Sequence, residues 1–349
     1  MQIKTAKAAI LARSREPLVV DEIVLPDALG VGQVLVKVLY STICGAQLNE
    51  IAAAKGPDKF LPHLLGHEAS AQVIEIGPGV TAVKPGDTVV LHWRPSQGIQ
   101  CQPPSYQWQD QKLNAGWVTT FNDYAVISEN RMTVIPADYD LRDAPLLGCA
   151  VTTAAGVINN DAGVKIGESV VVFGVGGVGL NVVQFAQLAG AYPIVAIDLV
   201  ESKLDMARSR GATHCLNPNA ITDLDAQIHN IVGAKGPDKV IETTGAKAVI
   251  ELAYNLTNAD GTCVLVGVPS EKVTIYTLPI HFNKVLTGSH GGDAVPQVDI
   301  PRLIRLNRAG RLSFDGIITH EFLLDDINAA LDVVRSGTAG RVVLKIGIP

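Results

Sequence analysis

The sequence has no run of like charges and no even set of cysteines, and each absence excludes a class of protein. Its 349 residues include 28 Lys and Arg against 34 Asp and Glu, a formal net charge of −6. This mildly acidic balance lacks the basic patch that nucleic-acid and anionic-membrane binders need, so small molecules are the expected partners. The five cysteines are an odd number in a long chain, unlike a secreted disulfide framework. Without an export signal at the N-terminus, the expectation is reduced thiols and a cytoplasmic location.

Long apolar runs are also scarce. Residues 170–197 contain no charged side chain and are numerous enough to cross a bilayer. The same segment, however, holds several glycines, polar residues at helical spacing (Asn181, Gln184 and Gln187) and Pro193. We therefore predict a strand, a turn, a buried helix and a second strand, and no membrane span.

The pattern along the chain predicts an α/β protein of two domains. Residues 1–150 show short alternating segments separated by turn residues, which indicates a β-rich domain. Residues 151–286 alternate apolar strands with helix-length segments, which is typical of a doubly wound parallel sheet. The remaining residues, 287–349, are expected to return to the first domain and complete it.

A glycine-rich turn predicts a dinucleotide site in the second domain. Gly174, Gly176, Gly177 and Gly179 follow the predicted strand 170–173 and precede a helix, where the glycines allow a tight turn and close approach of a pyrophosphate. Asp198 ends the next predicted strand, so its carboxylate can accept hydrogen bonds from an adenosine ribose and repel a 2′-phosphate. The sequence therefore favours NAD over NADP.

Cys44, the adjacent pair His67 and Glu68, and Cys149 are the candidate metal ligands. Two thiolates and an imidazole that leave one position open are the donor set of a catalytic zinc site. The spacing alone does not prove that these residues meet, because about a hundred residues separate the two cysteines. Each cysteine taken singly is more often a small buried apolar residue than a ligand.

Several separate motifs give the chain a family resemblance. The segments 66–68, 77–80 and 83–87 resemble the N-terminal region of zinc-containing medium-chain alcohol dehydrogenases, and 148–153 resembles their second-cysteine segment. Residues 211–213 and 266–269 are similar to their cofactor domain. The resemblance implies a GroES-like catalytic domain and a Rossmann domain, with the active site in the cleft between them.

The same resemblance implies roles for individual residues. Cys44, His67 and Cys149 would bind catalytic zinc, with Glu68 as an exchangeable ligand. A second group of residues would contact the NAD: Thr153 and Val178 at the nicotinamide ring, Lys203 beside Asp198 at the ribose, Arg341 at the pyrophosphate, and Val266 and Val268 at the nicotinamide end.

The chain departs from this family in its expected number of zinc ions. Many members hold a structural zinc with four closely spaced cysteines, but the corresponding stretch, 97–116, contains only Cys101. One thiolate cannot form a tetrahedral four-cysteine site. We therefore expect one catalytic zinc per chain and no structural zinc, and we expect residues 102–114 to form a loop held by proline and aromatic packing.

A second departure concerns the proton released by the alcohol. Family members pass it through a Ser or Thr and a His at the positions that here hold Ala46 and Asn49. A methyl group cannot relay a proton, and an amide does not titrate near neutrality. Water, Glu50 or His92 could replace the relay, although His92 is equally well explained as a core histidine. By the resemblance, Trp93 borders the substrate pocket beside Ala46.

These observations predict a zinc- and NAD-dependent oxidoreductase that interconverts an alcohol and a carbonyl compound, with a sugar or polyol derivative as a candidate substrate. One alternative is a metal-free NAD(P)H-dependent reductase of activated double bonds. Another is a non-catalytic protein that senses dinucleotides. The family commonly forms homodimers or homotetramers, and the segments 263–268 and 273–278 are compatible with an edge strand at such an interface.

Overall fold

The computed structural model describes residues 1–348, which form two compact units, one of residues 1–149 with the chain from Val295 onward and one of Ala150–Ala294. No helix among the described residues is long and apolar enough to cross a membrane. The α-helices are α1 (Gly45–Ile51), α2 (Ala150–Gly156), α3 (Gly179–Leu188), α4 (Glu201–Ser209), α5 (Leu224–Val232), α6 (Lys247–Leu256), α7 (Pro296–Arg308) and α8 (Ile327–Arg335). The strands are β1 (Thr5–Leu11), β2 (Val19–Val24), β3 (Gln33–Ile43), β4 (His63–Leu64), β5 (Ala69–Ile76), β6 (Thr88–Leu91), β7 (Ser105–Trp108), β8 (Gln111–Asn114), β9 (Tyr124–Ser128), β10 (Met132–Val134), β11 (Val170–Phe173), β12 (Ile194–Ile197), β13 (His214–Leu216), β14 (Lys239–Glu242), β15 (Thr262–Leu265), β16 (Val285–Gly288), β17 (Ile318–Leu323) and β18 (Arg341–Lys345).

The first unit is β-rich and contains a barrel and a larger sheet. The barrel closes in the order β1-β2-β7-β8-β4, and the sheet runs β10-β6-β5-β3-β18-β17 with β9 also paired to β3. Long apolar strands form its core because β3 and β5 pair along most of their length and bury alternate side chains, including Val34, Val36 and Val73. The C-terminal strand β18 pairs with β3, so the end of the described chain completes this unit.

The second unit is a six-stranded sheet in the order β13-β12-β11-β14-β15-β16, and every pair in it is parallel. Helices follow its strands, and Val170–Phe173 is buried throughout, as expected of a parallel strand covered on both faces. The uncharged segment 170–197 forms β11, α3 and β12, which agrees with the predicted strand, turn, helix and strand.

The structure places the end of the second unit at residue 294, beyond the expected 286. The added strand β16 pairs in register with β15, from Thr262 opposite Val285 to Leu265 opposite Gly288. The expected edge strand at 263–268 is therefore wrong, because β15 pairs on both sides. Residues 273–278 contain no strand, and β16 is the edge of the sheet.

Residues 102–114 were expected to form a loop, but they contain the β7–β8 hairpin of the barrel. Its aromatic side chains point into the core. Tyr106 is fully buried and its hydroxyl accepts a hydrogen bond from the Val126 amide at 2.8 Å. The Trp108 indole donates to Asp21 at 2.8 Å. Aromatic packing thus fixes this segment, with strand pairing that the sequence pattern did not reveal.

Candidate metal centre and dinucleotide site

The four candidate ligands reach one place because three chain segments of the first unit end there. Cys44 lies between β3 and α1, His67 and Glu68 immediately precede β5, and Cys149 follows a short 3₁₀ turn. Glycine permits the close approach: a Cβ on Gly148 would stand 2.4 Å from the Leu91 carbonyl oxygen. Residues distant in sequence therefore meet through the sheet.

The cluster has the composition and geometry of a metal site. One donor atom from each of Cys44, His67, Glu68 and Cys149 lies within 4.8 Å of the others. The His67 Nε2 is buried and makes no hydrogen bond, although a buried polar atom normally has a partner. Two sulfurs, an imidazole nitrogen and a carboxylate oxygen match the donors that zinc prefers, so the residues present fit a zinc ion.

The two cysteines differ in acidity because they share a hydrogen bond. That bond lowers the pKa of Cys44 and raises the pKa of Cys149. Burial would lower the pKa of His67, but the adjacent Cys44 sulfur raises it. The lowered pKa of Cys44 favours its thiolate, the form of cysteine that ligates metals.

Glu68 belongs to the cluster and is also held by an arginine. Its fully buried carboxylate accepts two hydrogen bonds from the Arg341 Nη2, at 3.0 and 3.1 Å. Burial raises the pKa of Glu68, and the Arg341 charge opposes that effect. Arg341 also donates to the Ile43 carbonyl at 3.2 Å. The guanidinium is thus engaged within the first unit, and the expected contact of Arg341 with the NAD pyrophosphate stays a prediction.

Gln47, which the sequence analysis did not single out, touches two of the ligands. Its side chain is buried, its Oε1 accepts a hydrogen bond from the Cys44 amide at 2.8 Å, and its Nε2 lies 2.6 Å from the His67 Nδ1. Only its position, three residues after the residue that caps α1, could have indicated from the sequence that Gln47 contacts this cluster.

A cavity of about 580 Å³ opens beside the cluster within the first unit. Gln47 and His67 lie in its wall, together with Glu50 from the last turn of α1. The remaining polar lining residues include Asp58, His63, Ser105, Lys112 and Asn114. Burial raises the pKa of Glu50, while His63 and His67 oppose that effect. The arrangement offers hydrogen-bonding groups next to a metal-ligating histidine.

The three residues expected at a substrate pocket do not line this cavity in the described chain. Ala46 lies exposed on the first turn of α1, and Trp93 lies half-buried after β6. His92 is fully buried: its Nδ1 lies 2.8 Å from the Arg94 carbonyl and its Nε2 lies 3.0 Å from the Thr133 hydroxyl. Burial lowers the pKa of His92 to about 4. His92 as a replacement relay is therefore wrong, because both ring nitrogens are committed to structural contacts.

The glycine-rich turn of the second unit has the geometry that a dinucleotide requires. Gly174 has a φ of +82°, which favours glycine, and a Cβ on Gly179 would stand 1.9 Å from the Gly174 carbonyl oxygen. Gly176, in contrast, faces open space with no atom within 4 Å of its Cβ position. The first and last glycines thus shape the turn and pack α3 on β11, while Gly176 leaves room for a pyrophosphate.

Asp198 lies at the carboxyl end of β12, beside this turn. One carboxylate oxygen accepts from the Val175 amide at 2.9 Å and the other from the Val200 amide at 3.0 Å. Each oxygen has a further lone pair for a ribose hydroxyl. The other expected cofactor residues of this unit lie on α2, before α3, on α4 and after β15: Thr153, Val178, Lys203, Val266 and Val268.

Comparisons with known proteins match both units. Residues 30–137 match the family model described as alcohol dehydrogenase GroES-like domain, and residues 177–308 match zinc-binding dehydrogenase. The chain is 31% identical to an S-(hydroxymethyl)glutathione dehydrogenase of Paracoccus denitrificans, over 97% of this chain and 99% of that protein.

Solved structures agree over the whole chain. A zinc-binding domain alcohol dehydrogenase protein of Burkholderia ambifaria superposes with a TM-score of 0.89 at 28% identity, covering 98% of this chain and 99% of its own. Benzyl alcohol dehydrogenase of Acinetobacter calcoaceticus superposes with a TM-score of 0.88 at 28% identity, covering 99% and 100%.

Proposed function

This chain belongs to the zinc-containing medium-chain alcohol dehydrogenase family, and from that premise we propose the residues, substrate class and proton route of its reaction. It is an NAD-dependent oxidoreductase of an alcohol and carbonyl pair. Cys44, His67 and Cys149 hold one zinc per chain, and Glu68 stands as the exchangeable fourth donor. The observation that carries this assignment is the buried His67 Nε2, which has no hydrogen-bond partner, in a cluster whose four donor atoms lie within 4.8 Å of one another.

Zinc, when bound, supplies a Lewis acid that lowers the pKa of an alcohol and so favours hydride transfer to the nicotinamide. The residues of the two units bind the cofactor and the substrate. The second unit binds NAD, with the turn at Gly176 open to the pyrophosphate and Asp198 at the ribose. The first unit holds the ligands and binds the substrate in the cavity beside His67.

The substrate that this cavity fits is polyhydroxylated. A simple alkyl or aryl alcohol is best received by apolar walls with few polar groups. Here Glu50, Asp58, Lys112 and Asn114 face the cavity. Asp58 already pairs with His63, and Asn114 donates to the Phe60 carbonyl. All four side chains keep further hydrogen-bonding capacity that an alkyl chain would leave unused. A sugar or polyol offers a hydroxyl group for each of them, so we propose that class of substrate.

Glu50 is the proposed carrier of the alcohol proton. Ala46 and Asn49 cannot carry a proton, whereas Glu50 lines the cavity with His67 and has an exposed side. Its raised pKa brings the carboxyl closer to the working pH of a general base. We expect Glu50→Gln to lower kcat by about 10²-fold or more, the scale of general acid–base catalysis, and to be partly rescued by added imidazole buffer.

The matched control for this test is Asn49→Ala on the same helix, which should leave kcat and its pH profile unchanged. If Glu50→Gln also leaves both unchanged on a substrate that is turned over, bulk water carries the proton and the assignment fails.

The metal assignment is tested by elemental analysis of protein purified without chelator. We expect about one zinc per chain, which would leave no second, structural ion. Protein that takes up no zinc even when it is offered would refute the mechanism. In that case, NADPH-dependent reduction of activated double bonds would favour a metal-free reductase, and tight NAD binding without turnover would favour a dinucleotide sensor.

We also propose that the protein forms a homodimer or homotetramer through the edge of the second unit's sheet. Strand β16 has an unpaired side, and several apolar residues near it are exposed, among them Tyr276, Phe282 and Val285. Light scattering of wild type and Val285→Lys tests this proposal: we expect the variant to shift toward the monomer.

A further inference from the structure

The Gln47 carboxamide contacts two groups of the candidate metal centre, one through its oxygen and the other through its nitrogen. Gln47 is 1% exposed, so water does not supply alternative partners for its side chain. Its Oε1 accepts from the Cys44 amide at 2.8 Å, which leaves the NH₂ group 2.6 Å from the His67 Nδ1. In this orientation the amide donates, and the Nδ1 accepts.

This orientation decides where His67 carries its proton. A neutral imidazole has one N–H and one lone pair, so an Nδ1 that accepts from Gln47 places the ring proton on Nε2. The Nε2 is the ring atom without a hydrogen bond, and His67 lies in one cluster with Cys44 and Cys149. Since Gln47 occupies the Nδ1, the Nε2 is the atom left for a metal. A metal can bind Nε2 only through its lone pair, so binding requires the proton to move to Nδ1.

With the proton on Nδ1, Gln47 must turn its oxygen toward His67. Metal-ligating histidines normally donate this second N–H to an oxygen, and that contact fixes the ring orientation. Turning the amide places its NH₂ group against the Cys44 N–H, a donor against a donor, at the residue that caps α1. A carboxylate would accept from both groups at once.

We propose that Gln47 is a positioning residue that lowers the zinc affinity of this centre, because metal binding on His67 competes with the hydrogen bond that caps α1 at Cys44. This inference rests on the proposed metal assignment above. The inference concerns two properties, the zinc affinity and the His67 tautomer. The family resemblance predicts neither of them for a glutamine at this position.

The test is Gln47→Glu, compared with wild type by competition for zinc against a chromophoric chelator. The second carboxylate oxygen can accept from the His67 Nδ1–H while the first still accepts from Cys44. Outer contacts of this kind change metal affinity by about 10–100-fold, so we expect Gln47→Glu to bind zinc more tightly by that factor.

Asn49→Asp is the matched control. It adds the same charge to the same helix at an exposed residue, and we expect a change in zinc affinity of less than about threefold, since exposed charges are screened. An equal gain in Asn49→Asp, or no gain in Gln47→Glu, would overturn the inference. Thermal unfolding of the metal-free variants checks that both are folded.

A second measurement does not depend on affinity. Nitrogen-15 NMR of histidine-labelled protein, with His67 assigned by a His67→Gln variant, reports the ring tautomer. We expect the Nε2–H form in metal-free wild type and the Nδ1–H form in metal-free Gln47→Glu. The Nδ1–H form in metal-free wild type would overturn the proposal. If neither protein binds zinc, the metal assignment itself fails, and that outcome is distinguishable from equal zinc binding by both.

Discussion

Replacing Arg341 should destabilise the first unit strongly, because it would leave a buried carboxylate without its cation. Arg341 and Glu68 are 5% and 0% exposed at their side chains, and the guanidinium donates to both carboxylate oxygens. Arg341 also joins β18 to the end of β3 through the Ile43 carbonyl. Arg341→Met preserves much of the apolar volume and removes every one of these contacts.

The expected magnitude follows from the burial of both partners. Removing one partner of a buried ion pair costs about 3–5 kcal/mol, mostly because the remaining charge is desolvated and unpaired. The double variant Glu68→Gln/Arg341→Met removes that charge as well. Since contacting residues show interaction energies of about 0.5–3 kcal/mol, and the double variant removes the unpaired buried charge, we expect it to be more stable than Arg341→Met alone.

The assay is urea unfolding of chelator-treated protein, followed by tryptophan fluorescence. The chain has three tryptophans, and Trp93, Trp108 and Trp117 all lie in the first unit, so the signal reports the unit that contains the ion pair. Working without zinc excludes stabilisation by the metal, which adds to the stability of the folded state. A loss below about 1 kcal/mol for Arg341→Met, in the range of exposed ion pairs, would refute the reasoning, as would a double variant less stable than the single one.

Three further predictions concern other parts of the chain. The folded pKa of His92 is about 4, and its unfolded pKa is about 6.5. Between these values the unfolded state binds more protons, so the free energy of unfolding falls by about 3 kcal/mol in total as the pH drops through this window. Urea unfolding from pH 7 to pH 4 should show this loss, and His92→Asn should show less of it. Asp198→Asn should weaken NAD binding about tenfold and reduce the preference for NAD over NADP, because it neutralises the carboxylate that accepts from the ribose and repels a 2′-phosphate. Fluorescence titration with both cofactors measures the two dissociation constants. An unchanged ratio of these constants would contradict the assignment. Trp108→Phe removes the 2.8 Å hydrogen bond to Asp21 and should lower the free energy of unfolding by about 1 kcal/mol, measured by urea unfolding. An unchanged free energy of unfolding would show that the hairpin does not depend on this bond.

Local pattern was sufficient to predict the second unit. The apolar runs at β11, β12 and β14 and the glycine spacing at 174–179 are short-range signals, and the structure places each of them as the sequence indicated. The prediction missed strand β16, Val285–Gly288, whose residues are half-buried or exposed. An edge strand buries one side less, so its pattern is weaker, and the predicted unit ended too early.

The candidate metal ligands could be identified from the sequence only by residue type and family resemblance. The residues that surround them could not be predicted. Arg341 and Glu68 are separated by 273 positions in the chain, and nothing local to either residue indicates the pairing. It follows from the placement of β18 beside β3, which depends on the register of the whole sheet. For the same reason, His92 had to be seen between Arg94 and Thr133 before its role as a relay could be dismissed.

In the proposed assignments, one short helix and its cap link metal binding to proton transfer. Cys44, Gln47 and Glu50 are spaced three residues apart along α1 and its cap, so they lie on neighbouring parts of one helix face. The first is a proposed metal ligand, the second contacts the proposed histidine ligand, and the third lines the cavity. Any change that turns or loosens the first turn of α1 moves all three together. We therefore expect substitutions at these three residues not to act additively, with zinc affinity and proton transfer changing together.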